Sequence, residues 1–488
     1  MLFNSYIFIF AFLPLCVLGF YFLKDSHTDA AKAWLIAFSL WFYGYFNLYY
    51  LAIMIGSVAV NYALYRFICV TQKKKQILAV GVAANIAVLF YFKYYDFFAQ
   101  NINALFKSNI AMRNILLPLG ISFFTFQQIS FLHDAYDGQV DNVRFVDYAL
   151  FITFFPQLIA GPIVTAAEML PQFARIKESR FDIEKFSGGV FIFVSGLAKK
   201  VLIADMLGRA VDFGYENADI LSRPDALIVI LFYTLQLYFD FSGYCDMAVG
   251  IGRLFGFDIA INFNSPYKAG NIIEFWKRWH ITLSRFFTRN IYIPLGGNRK
   301  GKARMYLNLF VVFFLSGLWH GAGWNFILWG CMHGVLYVIT RALTINKEKN
   351  DAAKISVKRI VSVLLTFIFV SIAWVFFRAN DISQAILVLK RVVIGDMTFS
   401  YNMAELFNKG EFWYILKVLH LSSLSFGRYI VIIGYAIICP LMVFFMPNTH
   451  ELGAKMKFEP IHAIICGAVF VWCVVSLSGV GTFLYFNF

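Results

Sequence analysis

Apolar residues along this chain come in long runs with almost no charge, and polar residues come in short bursts between them. The runs cover residues 6–23, 33–65, 77–92, 145–164, 188–197 continuing after Lys199-Lys200 into 201–203, 226–239, 306–318, 324–340, 360–377, 429–446 and 461–486. The stretch 33–65 has no charge at all and is long enough for two spans joined by a turn near 44–47. A hydrocarbon core about 30 Å thick needs roughly 20 apolar residues per crossing. Inside it the backbone must satisfy its own hydrogen bonds, so the runs are helices. The pattern predicts an all-α, polytopic integral membrane protein with about eleven transmembrane or re-entrant helices, some of them tilted or buried in protein because they are short.

The polar bursts at 24–32, 101–114, 176–184, 268–304, 341–358 and 380–409 are too short to enclose a core, and no internal repeat is visible. Residues 1–488 therefore read as a single membrane domain with loops. The first run lacks a basic leader and a small-residue cleavage site, which is not the pattern of a removed signal peptide. Two stretches look amphipathic. Residues 117–138 start apolar and turn polar. In 271–297, Phe275, Trp279, Thr282 and Phe286 recur at helical spacing with Lys277, Arg278, Arg285 and Arg289 between them. That spacing predicts a helix at or dipping into the membrane interface, ended by Pro294 and Gly296-Gly297.

Composition agrees with the pattern: 60% of the 488 residues are hydrophobic and 14% charged, against about half and a quarter in a soluble domain. Net charge is +14, concentrated at Lys73–Lys75, between 262 and 305, and at 341–359. Lys and Arg clusters mark the cytoplasmic side. Each such residue serves equally well for topology, for anionic lipid or for a phosphorylated ligand. No nucleic-acid module accompanies them. The seven cysteines show no paired spacing and read as small buried residues.

Ionisable groups inside apolar sequence are costly and mark function. His320 stands in "FFLSGLWHGAGWNF" (313–326), His333 in "WGCMHGVLY", and His280 in the aromatic-basic stretch; Asp240, Asp246 and Glu168 are the acidic counterparts. A buried histidine is either a hydrogen-bonded core residue, a metal ligand or a base able to take a hydroxyl proton near neutral pH. No HExxH or cysteine pair supports a metal, and none is expected. Gly296–Lys302 has phosphate-loop spacing, but Ala303 stands where the hydroxyl belongs. There is no Gly-x-Ser-x-Gly elbow.

Several stretches resemble the membrane-bound O-acyltransferases, and within them the alginate O-acetyltransferase-like branch. They are "FFPQLIAGPI" (154–163), "FDFSGYCDMAVGIGRLFGF" (239–257), "NFNSPYKAGNIIEFWKRWHITLSRFFTRNIYIPLGGNRKG" (262–301), "GLWHGAGWNFILWGCMHG" (317–334), "WVFFRA" (374–379) and the terminal "FLYFNF". The resemblance implies helices ringed around a central tunnel and places the family's catalytic histidine at His320, with His280 as the second family position. It implies acetyl transfer from cytosolic acetyl-CoA, with no permanently bound cofactor, across the bacterial inner membrane to an extracytoplasmic polysaccharide such as alginate, cellulose or peptidoglycan. A periplasmic SGNH-hydrolase-like partner would complete the transfer. Lys277, Arg278, Arg285 and Arg299 are candidates for the coenzyme A phosphates. The same fold would also suit D-alanyl transfer from a carrier protein to teichoic acid. Trp279, Trp319 and Trp324 line the tunnel or pack, and Gly321 and Gly323 are expected to let substrate approach the backbone beside His320.

Overall fold

The computed structural model describes residues 1–178, 180–344, 356–408, 411–424, 426–455, 459–477 and 483–484. The middle of the third basic cluster and most of the terminal "FLYFNF" lie outside the described residues. Those described fold into helices joined by turns.

The first four helices are α1 (Leu13–Lys24), α2 (Thr28–Gly44), α3 (Leu48–Val70) and α4 (Lys74–Lys93). The run 33–65 divides at 45–47 as its length requires. Asn47 caps α3 there, its side-chain oxygen accepting from the Tyr49 N–H at 2.8 Å. Next come α5 (Tyr95–Phe106) and α6 (Ile121–Tyr136). Almost every α6 side chain is buried, so 117–138 is an interior helix rather than an amphipathic one. Its Gln128 joins Asn61 and Asn85 in an amide cluster between α3, α4 and α6. Side-chain hydrogen bonds of this kind join helices in hydrocarbon, where apolar contact alone does not.

The run 145–164 breaks into α7 (Phe145–Thr153), α8 (Phe155–Leu158) and an irregular stretch before α9 (Ala166–Ala174). α10 (Ile183–Ala198) passes through a π-helical turn at Lys199–Ala204 into α11 (Asp205–Glu216). α12 (Arg223–Leu254) extends well past the expected 226–239 and is the most buried long helix. Buried ion pairs explain how it can. Lys200 reaches Asp240 at 2.7 Å, and Lys199 reaches Asp246 at 2.6 Å, where Thr449 and His450 also converge.

The aromatic-basic stretch is not one helix. It forms α13 (Ile272–Trp276) and α14 (Ile281–Phe287), interrupted where His280 takes a left-handed conformation at φ 45°. α15 (Lys302–His320), α16 (Trp324–Thr344) and α17 (Val357–Arg378) follow, and then the helices Ile430–Phe445 and Pro460–Val475. Six of the described helices are long and apolar enough to cross a bilayer, among them α3, α4, α12, α16 and α17. Two further apolar helices, Phe8–Lys24 and Pro460–Val475, are shorter. These two shorter helices correspond to the first run and to the first part of the last run, and several intervening described helices are too short or too polar to cross alone.

Hydrogen bonds fix the relative direction of the helices around the histidines. Lys93, ending α4, bonds the carbonyls that end α15. Asn325, near the start of α16, bonds the Phe376 and Ala379 carbonyls at the end of α17. The opposite ends carry Lys74, Lys302, Arg341, Lys358 and Arg359. Those basic ends face the cytosol by the positive-inside rule, and the end of α15 that carries His320 points away from it.

Close packing of α10 on α12 depends on missing side chains. A Cβ on Gly196 would lie 2.5 Å from the Gly243 carbonyl oxygen, and one on Gly250 would lie 2.7 Å from that of Gly189. Both neighbours are backbone and cannot yield. Gly56 on α3 has nothing within 4 Å of its Cβ position. Gly250→Val should therefore destabilise the protein by about 3 kcal/mol or more, the upper range for overpacking, while Gly56→Ala should not. Thermal unfolding of both variants in detergent checks this; equal midpoints would contradict the helix contact.

Candidate active site

His320 is the last residue of α15 and is buried. Its imidazole meets Trp319, Trp329 and Phe377 at ring-centroid distances of 4.7, 5.1 and 5.1 Å. The last carbonyls of any α-helix have no partner within the helix, and no water in the hydrocarbon can supply one. Here α4 does so. Lys93 Nζ donates to the Trp319 oxygen at 2.6 Å and the His320 oxygen at 3.0 Å, and Tyr94 donates its hydroxyl to Leu318 at 2.8 Å. Lys93 escaped the sequence reading because it sits one residue past an apolar run, where a lysine passes for a span flank.

His280 enters from the turn between α13 and α14, also buried. Its left-handed backbone costs about 1–2 kcal/mol for a residue with a Cβ, and Asn262 holds it there. The Asn262 backbone oxygen accepts from Ile281 N–H at 3.0 Å. Its side-chain oxygen accepts from Thr282 N–H at 3.1 Å and the Thr282 hydroxyl at 3.0 Å, and lies 3.2 Å from His280 Nδ1. A backbone N–H can only donate, so the Asn262 atom that receives it is oxygen, not nitrogen. His280 Nδ1 facing that same oxygen must then carry a proton. In the neutral ring this leaves the lone pair on Nε2. Asn262 lies in the quoted family-like stretch, but nothing in its spacing singles it out.

Trp319 touches both histidines: its ring is 4.7 Å from that of His320 and 6.4 Å from that of His280. His333 takes another role. Its Nδ1 accepts from Trp276 Nε1 at 3.2 Å, and Trp329 and Phe369 pack on its ring. It is a hydrogen-bonded core histidine.

Two cavities approach this pair. One, of about 720 Å³, is lined by Lys277, Arg285, Arg289 and Arg341, and reaches Phe313 and Ser316 of α15. Ser316 is one turn before His320, about 6 Å along the helix axis. Arg285 pairs with Glu168, which also completes the cap of α9 with Thr165, and Arg289 pairs with Asp134. Lys277 and Arg341 have no carboxylate partner among the described residues. The structure thus brings two of the four expected cations, Lys277 and Arg285, to one cavity. Arg278 instead bonds Asn264 and Glu274, and Arg299 is exposed on the glycine turn outside it.

The second cavity is small, about 40 Å³, and lies at the other end of α15. Lys93, Gly120, Ser122, Ile159, Trp319 and His320 line it. Gly120 takes φ 73°, and a Cβ there would lie 2.9 Å from the Leu158 oxygen. Among the described residues, no group of three His, Cys, Asp or Glu side chains is placed to hold a metal.

The expectation for the glycines after His320 is overturned. The Cβ position of Gly321 is filled by the Phe326 ring, and that of Gly323 by the Asn325 side chain. They permit a tight α15–α16 turn, not substrate approach. Trp279 packs on Phe275 and Trp374, Trp319 lines the small cavity, and Trp324 is exposed with its indole bonded to Asn101.

Comparison with known proteins agrees with this architecture. Residues 35–380 match the model of the membrane-bound O-acyltransferase family. The chain is 40% identical to a peptidoglycan O-acetyltransferase of Helicobacter pylori, over its whole length and 98% of that protein. It is 39% identical to a probable alginate O-acetylase AlgI of Azotobacter vinelandii, over 79% of this chain and 76% of that one. It is 27% identical to a teichoic acid D-alanyltransferase of Bacillus subtilis, over 52% of this chain and 66% of that one. The chain belongs to the membrane-bound O-acyltransferase family. It is an acyltransferase, a multi-pass protein of the bacterial inner membrane.

The Asn262 cluster makes a local prediction. Asn262→Leu strips three buried donors of their acceptor and should destabilise the protein by about 2 kcal/mol or more. Asn262→Asp keeps the acceptor and should cost less. Unfolding midpoints of the two variants in detergent test the order, and the reverse order would contradict the assigned hydrogen bonds.

Proposed function

We propose that this protein transfers an acetyl group from acetyl-CoA, bound at the basic cavity, to a hydroxyl acceptor reached from the far side of the membrane, in the O-acetylation of peptidoglycan. One observation carries the reading: His320 and His280 meet at a single indole, with a cation-lined cavity on the cytosolic side and a small cavity at the opposite end of α15. Peptidoglycan is favoured over alginate because similarity to the peptidoglycan O-acetyltransferase runs the full length of both chains, whereas the alginate relative matches 79% of this one. That full-length match also supports treating 1–488 as one functional unit.

In this scheme Lys277, with Arg285 and Arg341 beside it, holds the coenzyme A phosphates. The acyl end lies toward Ser316 and His320. His320 takes the proton of the acceptor hydroxyl as its oxygen attacks the thioester carbonyl carbon. A C–O bond forms, the C–S bond breaks, and the proton passes from the imidazole to the departing sulfur. His280, with its lone pair on Nε2, assists by sharing that proton. Aromatic walls keep water from hydrolysing the thioester. A periplasmic partner of the SGNH-hydrolase type carries the acetyl group onward to the polymer.

His320→Ala should lower release of coenzyme A from acetyl-CoA by at least about 100-fold in purified protein, and should remove base-labile acetate from the cell-wall polymer at normal protein levels. Retained acetylation would overturn the role of His320. No acetyl transfer from acetyl-CoA by the wild type, with transfer from a D-alanyl carrier protein, would favour the D-alanyl reading. For the donor cavity, Lys277→Gln should raise KM for acetyl-CoA by up to about fivefold, the worth of one exposed charge contact. Arg299→Gln should leave KM unchanged; equal effects would place the donor elsewhere.

A further inference from the structure

The buried and half-buried lysines of the helix interior differ in what neutralises them. Lys32 faces Asp147 at 2.6 Å, Lys199 faces Asp246 at 2.6 Å, and Lys200 faces Asp240 and Asp205 at 2.7 and 2.8 Å. Lys93 has no carboxylate partner among the described residues. Its neighbours are the Trp319 and His320 carbonyls and, at 5.7 Å, the face of the Trp319 ring. A cation held in apolar surroundings without a counter-ion is costly. Capping a helix end does not require a charge, as the Tyr94 hydroxyl on Leu318 demonstrates one residue away.

An ammonium has three N–H groups and no acceptor. Two of those of Lys93 are taken by the carbonyls, which leaves one. Lys93 lines the same small cavity as His320. We propose that Lys93 is a catalytic residue of the acyl transfer: its remaining N–H stabilises the negative charge that forms on the acyl carbonyl oxygen beside His320. The proposal rests on the acyl-transfer reading above. When the acceptor oxygen bonds to the carbonyl carbon, the carbonyl electron pair moves onto oxygen, and that oxyanion receives the Lys93 hydrogen bond. When the C–S bond breaks, the pair returns to the carbonyl and the sulfur takes the proton from His320. Lys93 keeps its own proton throughout. The two carbonyl bonds give the ammonium a fixed direction before substrate arrives, which is the condition under which such a donor lowers a barrier rather than merely binding.

The test compares Lys93→Met, which keeps the stem and removes every N–H, with Tyr94→Phe, which also loosens the end of α15 but does not line the cavity. Coenzyme A release from acetyl-CoA is measured on purified protein of wild-type monodispersity. Lys93→Met should lower kcat by about 10²–10³-fold, the cost of one oxyanion donor, with KM for acetyl-CoA unchanged. Tyr94→Phe should stay within a few-fold of wild type. Similar kcat values for the two variants would overturn the proposal and leave Lys93 a helix cap. If Lys93→Met does not fold, the wild type bound to a phosphonyl coenzyme A analogue decides: a phosphonate oxygen hydrogen-bonded to Lys93 Nζ supports the assignment, and one directed away from it refutes it. If the wild type releases no coenzyme A, acetyl-CoA is the wrong donor. The same comparison then runs with a D-alanyl carrier protein, since the reacting carbonyl is common to both.

Discussion

The hydrogen bonds from Lys93 and Tyr94 to the last carbonyls of α15 are the constraint around which the His320 end of this protein is organised. A helix can end within a membrane protein only if its exposed carbonyls find donors, because hydrocarbon offers none. Three consecutive carbonyls, those of Leu318, Trp319 and His320, receive donors from Lys93, the last residue of α4, and from Tyr94, which follows it. With that end secured, the chain can turn at once into α16. Asn325 near the start of α16 in turn satisfies Phe376 and Ala379 at the end of α17. Four helices are thus tied at one level, and His320 stands where they meet. An imidazole on an unsupported helix end would have no fixed direction.

The three histidines of the core illustrate how partners, more than burial, separate chemistry from packing. All three are buried. His333 accepts from Trp276 and is enclosed by aromatic rings. His280 is set in one tautomer by Asn262, on a strained backbone that Asn262 also helps to hold. His320 lines the small cavity at the end of α15. Strain kept in place by a dedicated hydrogen-bond cluster is characteristic of positions selected for geometry.

Much of this was readable in the residues. Apolar runs located the helices because burial in lipid requires uninterrupted apolar sequence, and the run at 33–65 even indicated its own turn. The family-like stretches pointed to His320 and His280. What failed had a common cause: periodicity describes one helix at a time and is blind to what faces it. Phe275, Trp279, Thr282 and Phe286 suggested one amphipathic helix, but the left-handed turn at His280 breaks it, since the side chains it must serve lie on α12 and in the 262–264 strand of chain beside it. α12 extended far past its apolar run because Lys199 and Lys200, read as an interruption elsewhere, neutralise its Asp246 and Asp240. Lys93 and Asn262 were invisible for the same reason, their meaning residing in partners more than 15 residues away. The glycines at 321 and 323 suggested open space because a missing side chain looks the same in sequence whether a substrate or Phe326 fills it.

Direction across the membrane follows from α15 itself. Its basic end begins at Lys302 and its other end is His320, the two closing a helix of 19 residues, about 28 Å long at the rise of an α-helix. The cation-lined cavity follows α15 from Leu309 to Ser316, about 10 Å of helix, and brings its cations toward the His320 end. At the far end lies a cavity of about 40 Å³, too small in this form to hold a polymer chain. On the proposed function, an acceptor presents a single reactive group there rather than threading through. On the proposed function, that restriction suits a relay in which another protein carries the acyl group to the polysaccharide, since only an acetyl group then has to cross.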